Sequence, residues 1–266
     1  MADPLSFWRR FLARPNDDRG KTLGIAILVA FLCAVVVSAT SVSLKPLQDA
    51  HLEAERAARM EAMLDTLPGL RGLMEEAGVT ALETRMVDLS EGRFAPEIDA
   101  EGFDAIASAA DPETSIEIPA NADPAGLKRR ETHAPVYLLA RDGEIQLLVL
   151  PMRATGYQST ITAMLALEPD LRTIAALTIT GQGETPGIGA RIAEPEFAAR
   201  WPGKQIADDD GEIVIEVVRG QAAGPYQVDG VSGATRSSNA VGAMLTFWLG
   251  DLGYGPLLDH LEQEGI

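Results

Sequence analysis

The stretch VYLLARDGEIQLLVL, residues 136–150, predicts the fold of this chain more directly than any other. Two apolar runs, Val136–Ala140 and Glu144–Leu150, flank Arg141-Asp142-Gly143. A short break containing Asp-Gly between two strand-forming runs is typical of a β-hairpin. The stretch therefore predicts two antiparallel strands joined by a tight connection.

Shorter signals follow this hairpin along the chain. The apolar runs Ile161–Leu167 and Ile174–Thr180 predict two more strands. Ile213–Val218 predicts another strand, and Pro195–Trp201 predicts a short helix. Hairpins with few crossover helices favour an α+β fold of antiparallel strands with flanking helices over a doubly wound sheet.

The residues Asp229-Gly230-Val231-Ser232-Gly233-Ala234-Thr235 stand directly before a predicted helix over 236–249. Apolar residues recur on one face of this helix, namely Val241, Met244, Leu245, Trp248 and Leu249. Thr235 is thus expected at the helix N-terminus, where unpaired N–H groups and the helix dipole favour an anion such as phosphate. A plain turn with Thr235 as N-cap residue fits the same pattern.

The spacing Asp229-x-x-Ser232-Gly233-Ala234-Thr235 resembles the flavinylation motif of the FMN-binding domain family. In that family the threonine oxygen carries FMN through a phosphoester bond. The resemblance implies covalent FMN on Thr235, attached by a separate Mg-dependent flavin transferase that uses FAD as donor. It also implies cofactor contacts from the neighbouring residues Val231, Ser232, Gly233 and Ala234. Asp229 and Ser232 are expected to serve motif recognition or loop shape.

The glycine-rich loop Gly181–Gly189 allows two interpretations. Its spacing is G-x-G-x-x-x-G with an interrupting proline, and no long helix follows, which argues against a dinucleotide site. A simple turn would also explain the glycines. The loop resembles a second signature of the FMN-binding family, and this resemblance implies polar flavin contacts from Glu184 and Thr185 and an apolar contact from Ile188.

Two further segments match flavin contacts of that family. Gly156–Thr160 resembles a flavin-side segment and implies contacts from Ser159 and Thr160. The aromatic residue expected near position 158 stands one residue earlier, at Tyr157. Lys204 matches another flavin contact, and its ammonium group would tune the electronic properties of the cofactor.

Charge and cysteine content exclude several kinds of site. The net charge of the 266 residues is −17, so nucleic acid is an unsuitable partner. Cys33 is the single cysteine and lies in an apolar run, which leaves the rest of the chain without a disulfide or a thiol nucleophile. The three histidines have no ligand spacing, so we expect no metal site.

The apolar run Leu23–Leu44 contains 22 uncharged residues. As a helix it would span about 33 Å, enough for a hydrocarbon core of roughly 30 Å. Residues 1–45 hold six Lys/Arg against three Asp/Glu, whereas the remainder has a balance of −20. The positive-inside rule then predicts a cytoplasmic N-terminus and a periplasmic main domain at the bacterial inner membrane. A cleaved signal peptide ending near Val37-Ser38-Ala39 is the alternative.

These patterns divide the chain into five parts. They are a cytoplasmic arm at 1–21, a transmembrane helix at 22–44, a membrane-proximal helical or irregular region at 45–133, an FMN-binding domain at 134–256, and a C-terminal tail at 257–266.

Three segments on either side of the apolar run and near residue 250 make the family resemblance more specific. The segments 20–24, 44–48 and 250–256 resemble the C subunits of bacterial Na+-translocating NADH:quinone reductases. This resemblance implies an electron-carrying flavoprotein subunit, without its own NADH or quinone site, that contacts membrane lipid and the other subunits of a respiratory complex. The alternatives are the flavoprotein subunit of the Rnf complex and a membrane-tethered flavin-binding sensor or assembly module.

Overall fold

The structure is a computed structural model that describes residues 13, 15, 18–38, 40, 45, 83–100, 102–141 and 144–264. The chain divides into two compact units, 1–60 and 61–266. Within the described residues the helices are α1 (Arg19–Ser38), α2 (Ala105–Ala110), α3 (Pro195–Ala198), α4 (Thr235–Leu249) and α5 (Gly255–Glu264), with 3-10 turns at Ala120–Ala122 and Gly189–Ala193. The strands are β1 (Glu83–Asp88), β2 (Arg93–Phe94), β3 (Ser115–Glu117), β4 (Arg129–Glu131), β5 (His133–Arg141), β6 (Glu144–Thr155), β7 (Thr160–Leu167), β8 (Ile174–Gly181), β9 (Glu216–Val218) and β10 (Gln227–Asp229).

Helix α1 of the first unit is long and apolar enough to cross a membrane, judged by length and composition. It begins before the predicted start at residue 22 because the Asp18 carboxylate accepts a hydrogen bond from the Lys21 N–H at 2.9 Å and caps the first turn. Most of the predicted span beyond residue 38, and all of 46–82, lies outside the described residues.

The second unit is built on a six-stranded antiparallel sheet with the order β2-β1-β5-β6-β7-β8. The predicted hairpin is present, with Tyr137 opposite Val149 and Arg141 opposite Glu144. Strands β6 and β7 form a second hairpin whose last paired residues are Thr155 and Thr160. The tip of that second hairpin, residues 156–159, carries part of the candidate site.

One face of the sheet is covered by α4. The five apolar residues of the predicted helix face are all buried, as the periodicity requires. The indole of Trp248 donates a hydrogen bond to the Arg153 carbonyl on β6 at 2.7 Å, which fixes the helix along the strand. Tyr254 follows the helix, and its hydroxyl donates to the Pro151 carbonyl at 2.8 Å.

Two predictions about the flanking regions differ from the structure. The sequence predicts a helical or irregular region over 45–133 with one short strand at Glu83–Leu89; that strand is present as β1, but the described part also contains β2 in the main sheet and the separate hairpin β3–β4. The range 257–266 is predicted to be a tail, but Leu257, Leu258 and Leu261 are buried on one face of α5. The predicted strand Ile213–Val218 is regular over its last three residues, which pair in parallel with β10.

Candidate functional site

The loop after β10 presents Thr235 as the first residue of α4. The N-cap residue is Ala234, which has no side-chain acceptor, so the structure does not support Thr235 as the N-cap. The first described intrahelical bond runs from the Ser238 N–H to the Ala234 carbonyl at 2.9 Å. The N–H groups of Thr235, Arg236 and Ser237 donate to no acceptor in the described part of the chain. Such unpaired donors at a helix start are suited to bind an oxyanion.

The space beside Thr235 is open. Gly233 has φ +83, a left-handed conformation that favours glycine, and a Cβ there would meet nothing within 4 Å. Ser232 and Gly233 are exposed, and Thr235 is partly exposed. Within the described residues the Thr235 hydroxyl forms no hydrogen bond. An external reagent therefore has a clear approach to this oxygen.

Two serines of the first turn hold this helix start in place. The Ser238 hydroxyl accepts a hydrogen bond from the Val231 N–H at 2.9 Å, and the Ser237 hydroxyl donates to Glu184 Oε2 at 2.7 Å. Both serines are buried. Ser237 thus joins α4 to the glycine-rich loop that follows β8.

Glu184 joins three segments of the site. Its side chain is only 4% exposed, and its Oε1 accepts the N–H groups of Gln158 at 2.9 Å and Ser159 at 3.3 Å. Burial raises the pKa of Glu184, but these hydrogen bonds and that from Ser237 hold the pKa below its ordinary value. Both carboxylate oxygens are therefore occupied by the chain itself, and Glu184 organises the site as a carboxylate.

Close packing around Glu184 explains three glycines. A Cβ at Gly156 would approach Glu184 Oε1 to 2.6 Å, and one at Gly189 would approach the Ser237 hydroxyl to 2.6 Å. A Cβ at Gly183 would lie 3.1 Å from the Ser159 side chain. These glycines let the loops approach one another, which is a packing role and not that of a dinucleotide-binding loop.

The hairpin tip and the glycine-rich loop are also joined directly. The Gln158 side-chain amide donates to the Thr185 hydroxyl at 2.9 Å, and the Ser159 hydroxyl accepts the Gly183 N–H at 2.6 Å. Tyr157 and Ile188 remain 57% and 53% exposed. Large apolar side chains at such exposure, next to an ordered polar loop, offer a surface for a ring system.

Two arginines fix the backbone of the loop that contains the motif. Arg200 donates to the carbonyls of Asp229 at 2.8 Å and Gly230 at 3.1 Å, while Arg191 donates to the Ser232 carbonyl at 3.3 Å. The Asp229 carboxylate accepts a hydrogen bond from the Ala222 N–H. Asp229 therefore joins the start of the motif to the connection between β9 and β10.

Lys204 is bound to a different part of this region. Its ammonium group donates to the Gly224 carbonyl at 2.9 Å, in the connection between β9 and β10. Thr160 pairs with Thr155 at the end of β6–β7, and its carbonyl accepts from the Ser159 hydroxyl at 3.3 Å. The structure thus links Ser159, Glu184 and Thr185 to the start of α4, whereas Lys204 is held by the adjacent loop.

The sequence patterns do not predict which residues connect these segments. Ser237 and Ser238 precede Val241 by four and three positions, so they lie on the apolar face of α4. Polar residues on a buried face require partners, and this was the available signal. Arg191 and Arg200 gave no comparable signal, because their partners are backbone carbonyls.

The segments that form this site also lie in the region that matches a known protein family. The family model described as the FMN-binding domain matches residues 156–250, from the β6–β7 tip to the end of α4. The chain is 36% identical to the C subunit of the Na(+)-translocating NADH-quinone reductase of Pseudomonas aeruginosa, over 93% of this chain and 98% of that protein. It is 34% identical to the corresponding protein of Yersinia pestis, over 95% and 97%.

A solved structure has the same fold. The crystal structure of Shewanella oneidensis NqrC superimposes with a TM-score of 0.67 at 29% identity, covering 77% of this chain and 97% of that one. The C subunit of the same reductase from Parabacteroides distasonis superimposes with a TM-score of 0.55 at 25% identity, covering 77% and 92%.

Proposed function

Because the chain belongs to the family of C subunits of the Na+-translocating NADH-quinone reductases, we propose that it carries FMN as a phosphoester on the Thr235 hydroxyl. Membership of this family and the FMN-binding domain make it an FMN-binding, membrane-anchored subunit of that reductase, with the other subunits as partners.

The start of α4 carries the proposal of covalent attachment. Three backbone N–H groups there have no acceptor among the described residues, and the adjacent Thr235 hydroxyl is unbonded and accessible. A phosphate ester on this oxygen would place its negative charge at the positive end of a 15-residue helix. Alanine at the N-cap leaves those donors available, where serine or aspartate would occupy one of them.

When bound, FMN supplies one- and two-electron redox chemistry. The residues of the chain bind and orient it. Ser232, Gly233 and Ala234 permit close approach to Thr235, while the exposed Ile188 and the polar Ser159 and Thr185 lie on the loops tied to the same helix start. The buried Glu184 carboxylate holds these loops together through the hydrogen bonds that it accepts.

The proposed flavin must be attached by a second protein, and the flavin-bearing unit is proposed to lie in the periplasm. A flavin transferase would transfer the FMN moiety of FAD to the Thr235 oxygen: the pyrophosphate P–O bond breaks, AMP leaves and the hydroxyl loses its proton. It would recognise the exposed Ser232 and the loop that begins at Asp229. The basic residues before α1 support a cytoplasmic N-terminus and a periplasmic flavin-bearing unit, by the positive-inside rule. The protein then passes electrons between neighbouring redox groups of the complex and binds neither NADH nor quinone itself.

Mass spectrometry of the peptide containing Thr235 tests the attachment. The full chain, produced with a flavin transferase in a flavin-competent bacterium, should give a peptide whose mass is increased by esterified FMN. Thr235→Val should abolish that mass and the in-gel flavin fluorescence while leaving the thermal midpoint of unflavinylated protein nearly unchanged.

Thr246→Val is the matched control, because Thr246 is exposed on the same helix and its hydroxyl bonds, among the described residues, only to the Gly242 carbonyl. It should retain full flavin content. An unmodified wild-type peptide, or flavin kept on the Thr235→Val chain, would disprove attachment at Thr235.

A further inference from the structure

Arg236, directly after the proposed attachment residue, contacts the Tyr157 ring but has no polar partner among the described residues. Its guanidinium carbon lies 4.7 Å from the centroid of the Tyr157 ring, within cation–π distance. Both side chains are exposed. Within the described part of the chain, the guanidinium forms no hydrogen bond and no ion pair. All of its N–H donors therefore remain available to a ligand.

The other two arginines around this loop differ in this respect. Arg200 directs its donors to the carbonyls of Asp229, Gly230 and Glu196. Arg191 bonds the Ser232 carbonyl and pairs with Glu194 at 3.4 Å. Both therefore fix the loop, whereas Arg236 contributes no polar contact to the described fold.

The position of Arg236 is also electrostatically unfavourable in the chain alone. It lies in the first turn of α4, where the helix dipole disfavours a cation, and that turn contains no acidic residue. Among the described residues only the Tyr157 ring offsets this cost, and a cation kept at a helix N-terminus on so little compensation points to a functional requirement. A dianionic or monoanionic phosphoryl group next to Thr235 would supply the missing compensation.

We propose that Arg236 binds the phosphoryl group of the flavin and that Tyr157 positions the guanidinium for this contact. This inference rests on the proposed function, since it assigns a recognition residue to the same site. The planar, forked donor set of arginine matches phosphate oxygens, and its flat face remains stacked on the phenol ring.

Comparison of FMN with riboflavin isolates the phosphoryl contact, because the two flavins share a ring and differ in the phosphate. Their affinities are measured by fluorescence titration of the full chain in detergent, in a Thr235→Val background that prevents covalent attachment. Arg236→Gln should weaken FMN binding about 5- to 20-fold and leave riboflavin binding unchanged, because only FMN offers a charge-assisted contact.

Three further variants sharpen this measurement. Arg236→Lys should retain part of the FMN preference, since it keeps the charge but not the fork. Tyr157→Leu should reduce the preference less than Arg236→Gln does. Arg93→Gln, which changes an exposed arginine on β2, should leave both affinities unchanged. Equal loss of FMN and riboflavin, or no loss of either, in Arg236→Gln would overturn the proposal.

Thermal unfolding gives an independent test that works even where free flavins bind weakly. In the flavinylated chain Arg236→Gln should lower the thermal midpoint, whereas in the unflavinylated chain it should raise it or leave it unchanged. A shift of equal sign and size in both forms would show a merely structural role and overturn the proposal. Absence of flavin on wild-type Thr235 would instead overturn the proposed function together with this inference.

Discussion

The carboxylate of Glu184 is buried, and it stays charged because of the hydrogen bonds that it accepts. Gln158, Ser159 and Ser237 each donate to this one group, and they come from two segments distant in sequence. Protonation or removal of the charge would weaken three contacts at once. The geometry of the loops that face the proposed flavin therefore depends on a single ionised side chain.

Glu184→Gln should reveal this dependence through pH. The folded-state pKa of Glu184 lies below the ordinary value of 4.5, so its contribution to stability is present above that value and is lost as the pH falls through the folded-state pKa. We expect Glu184→Gln to destabilise the unflavinylated chain by about 1–3 kcal/mol at pH 7. The difference from wild type should shrink below the ordinary pKa of 4.5.

Denaturant unfolding at several pH values measures this effect. Glu196→Gln serves as control, because Glu196 is exposed, and it should follow the wild-type profile at every pH. A destabilisation by Glu184→Gln that is the same at neutral pH and well below the folded-state pKa would contradict the assigned role of the charge.

Among the elements, α5 stabilises the second unit by packing buried leucines into its core. Leu257 and Leu261 are buried, and Pro256 and Leu257 abut the turn between β1 and β2. A Cβ at Gly92 would overlap the carbonyl group of Pro256. The helix therefore packs directly against backbone, without room for a side chain between them.

Leu257→Ala should lower the free energy of unfolding by about 2–5 kcal/mol, the usual cost of truncating a buried leucine. Gln263→Ala removes an exposed side chain of the same helix. That control should change stability by less than about 0.5 kcal/mol. Chemical denaturation of the two variants compares them directly. Similar values for both would mean that α5 is not part of the cooperative unit.

The elements that sequence patterns predicted correctly are those whose signal is local. The hairpin β5–β6 follows from two apolar runs around Asp-Gly, and the buried face of α4 follows from a 3.6-residue period. Helix α5 was missed because its leucines are interspersed with acidic and polar residues over only ten positions. Strands β3 and β4 have three residues each, which is too short for any period to be recognised.

The candidate site was predictable only in part, for a related reason. The position of Thr235 at the start of a helix follows from residues within about twenty positions of it. The bond from Ser237 to Glu184, by contrast, joins residues 53 apart in sequence, and Arg236 meets the ring of Tyr157 from a different element. Such contacts depend on how the sheet brings the β6–β7 tip and the end of β8 to the start of α4, which no local pattern encodes.

The whole molecule is divided by charge as well as by structure. Five of the six basic residues in 1–45 precede or begin α1 and the sixth, Lys45, follows it, whereas the second unit is strongly acidic. Alkaline phosphatase, which is active only after export, should be active when fused after residue 266. A fluorescent protein that matures only in the cytoplasm should remain dark at the same position. A fluorescent fusion with inactive phosphatase would reverse the proposed orientation.

The contact between Gly92 and Pro256 also determines when this protein can finish folding. A ribosome releases the β1–β2 turn well before α5, so that turn lacks its contact with Pro256 until residues 255–264 have been made. The part of the core that α5 covers can therefore close only after that helix has been made. A nascent chain interrupted before α5 would expose the apolar surface that Leu257 and Leu261 cover, and would be a natural substrate for chaperones and proteases.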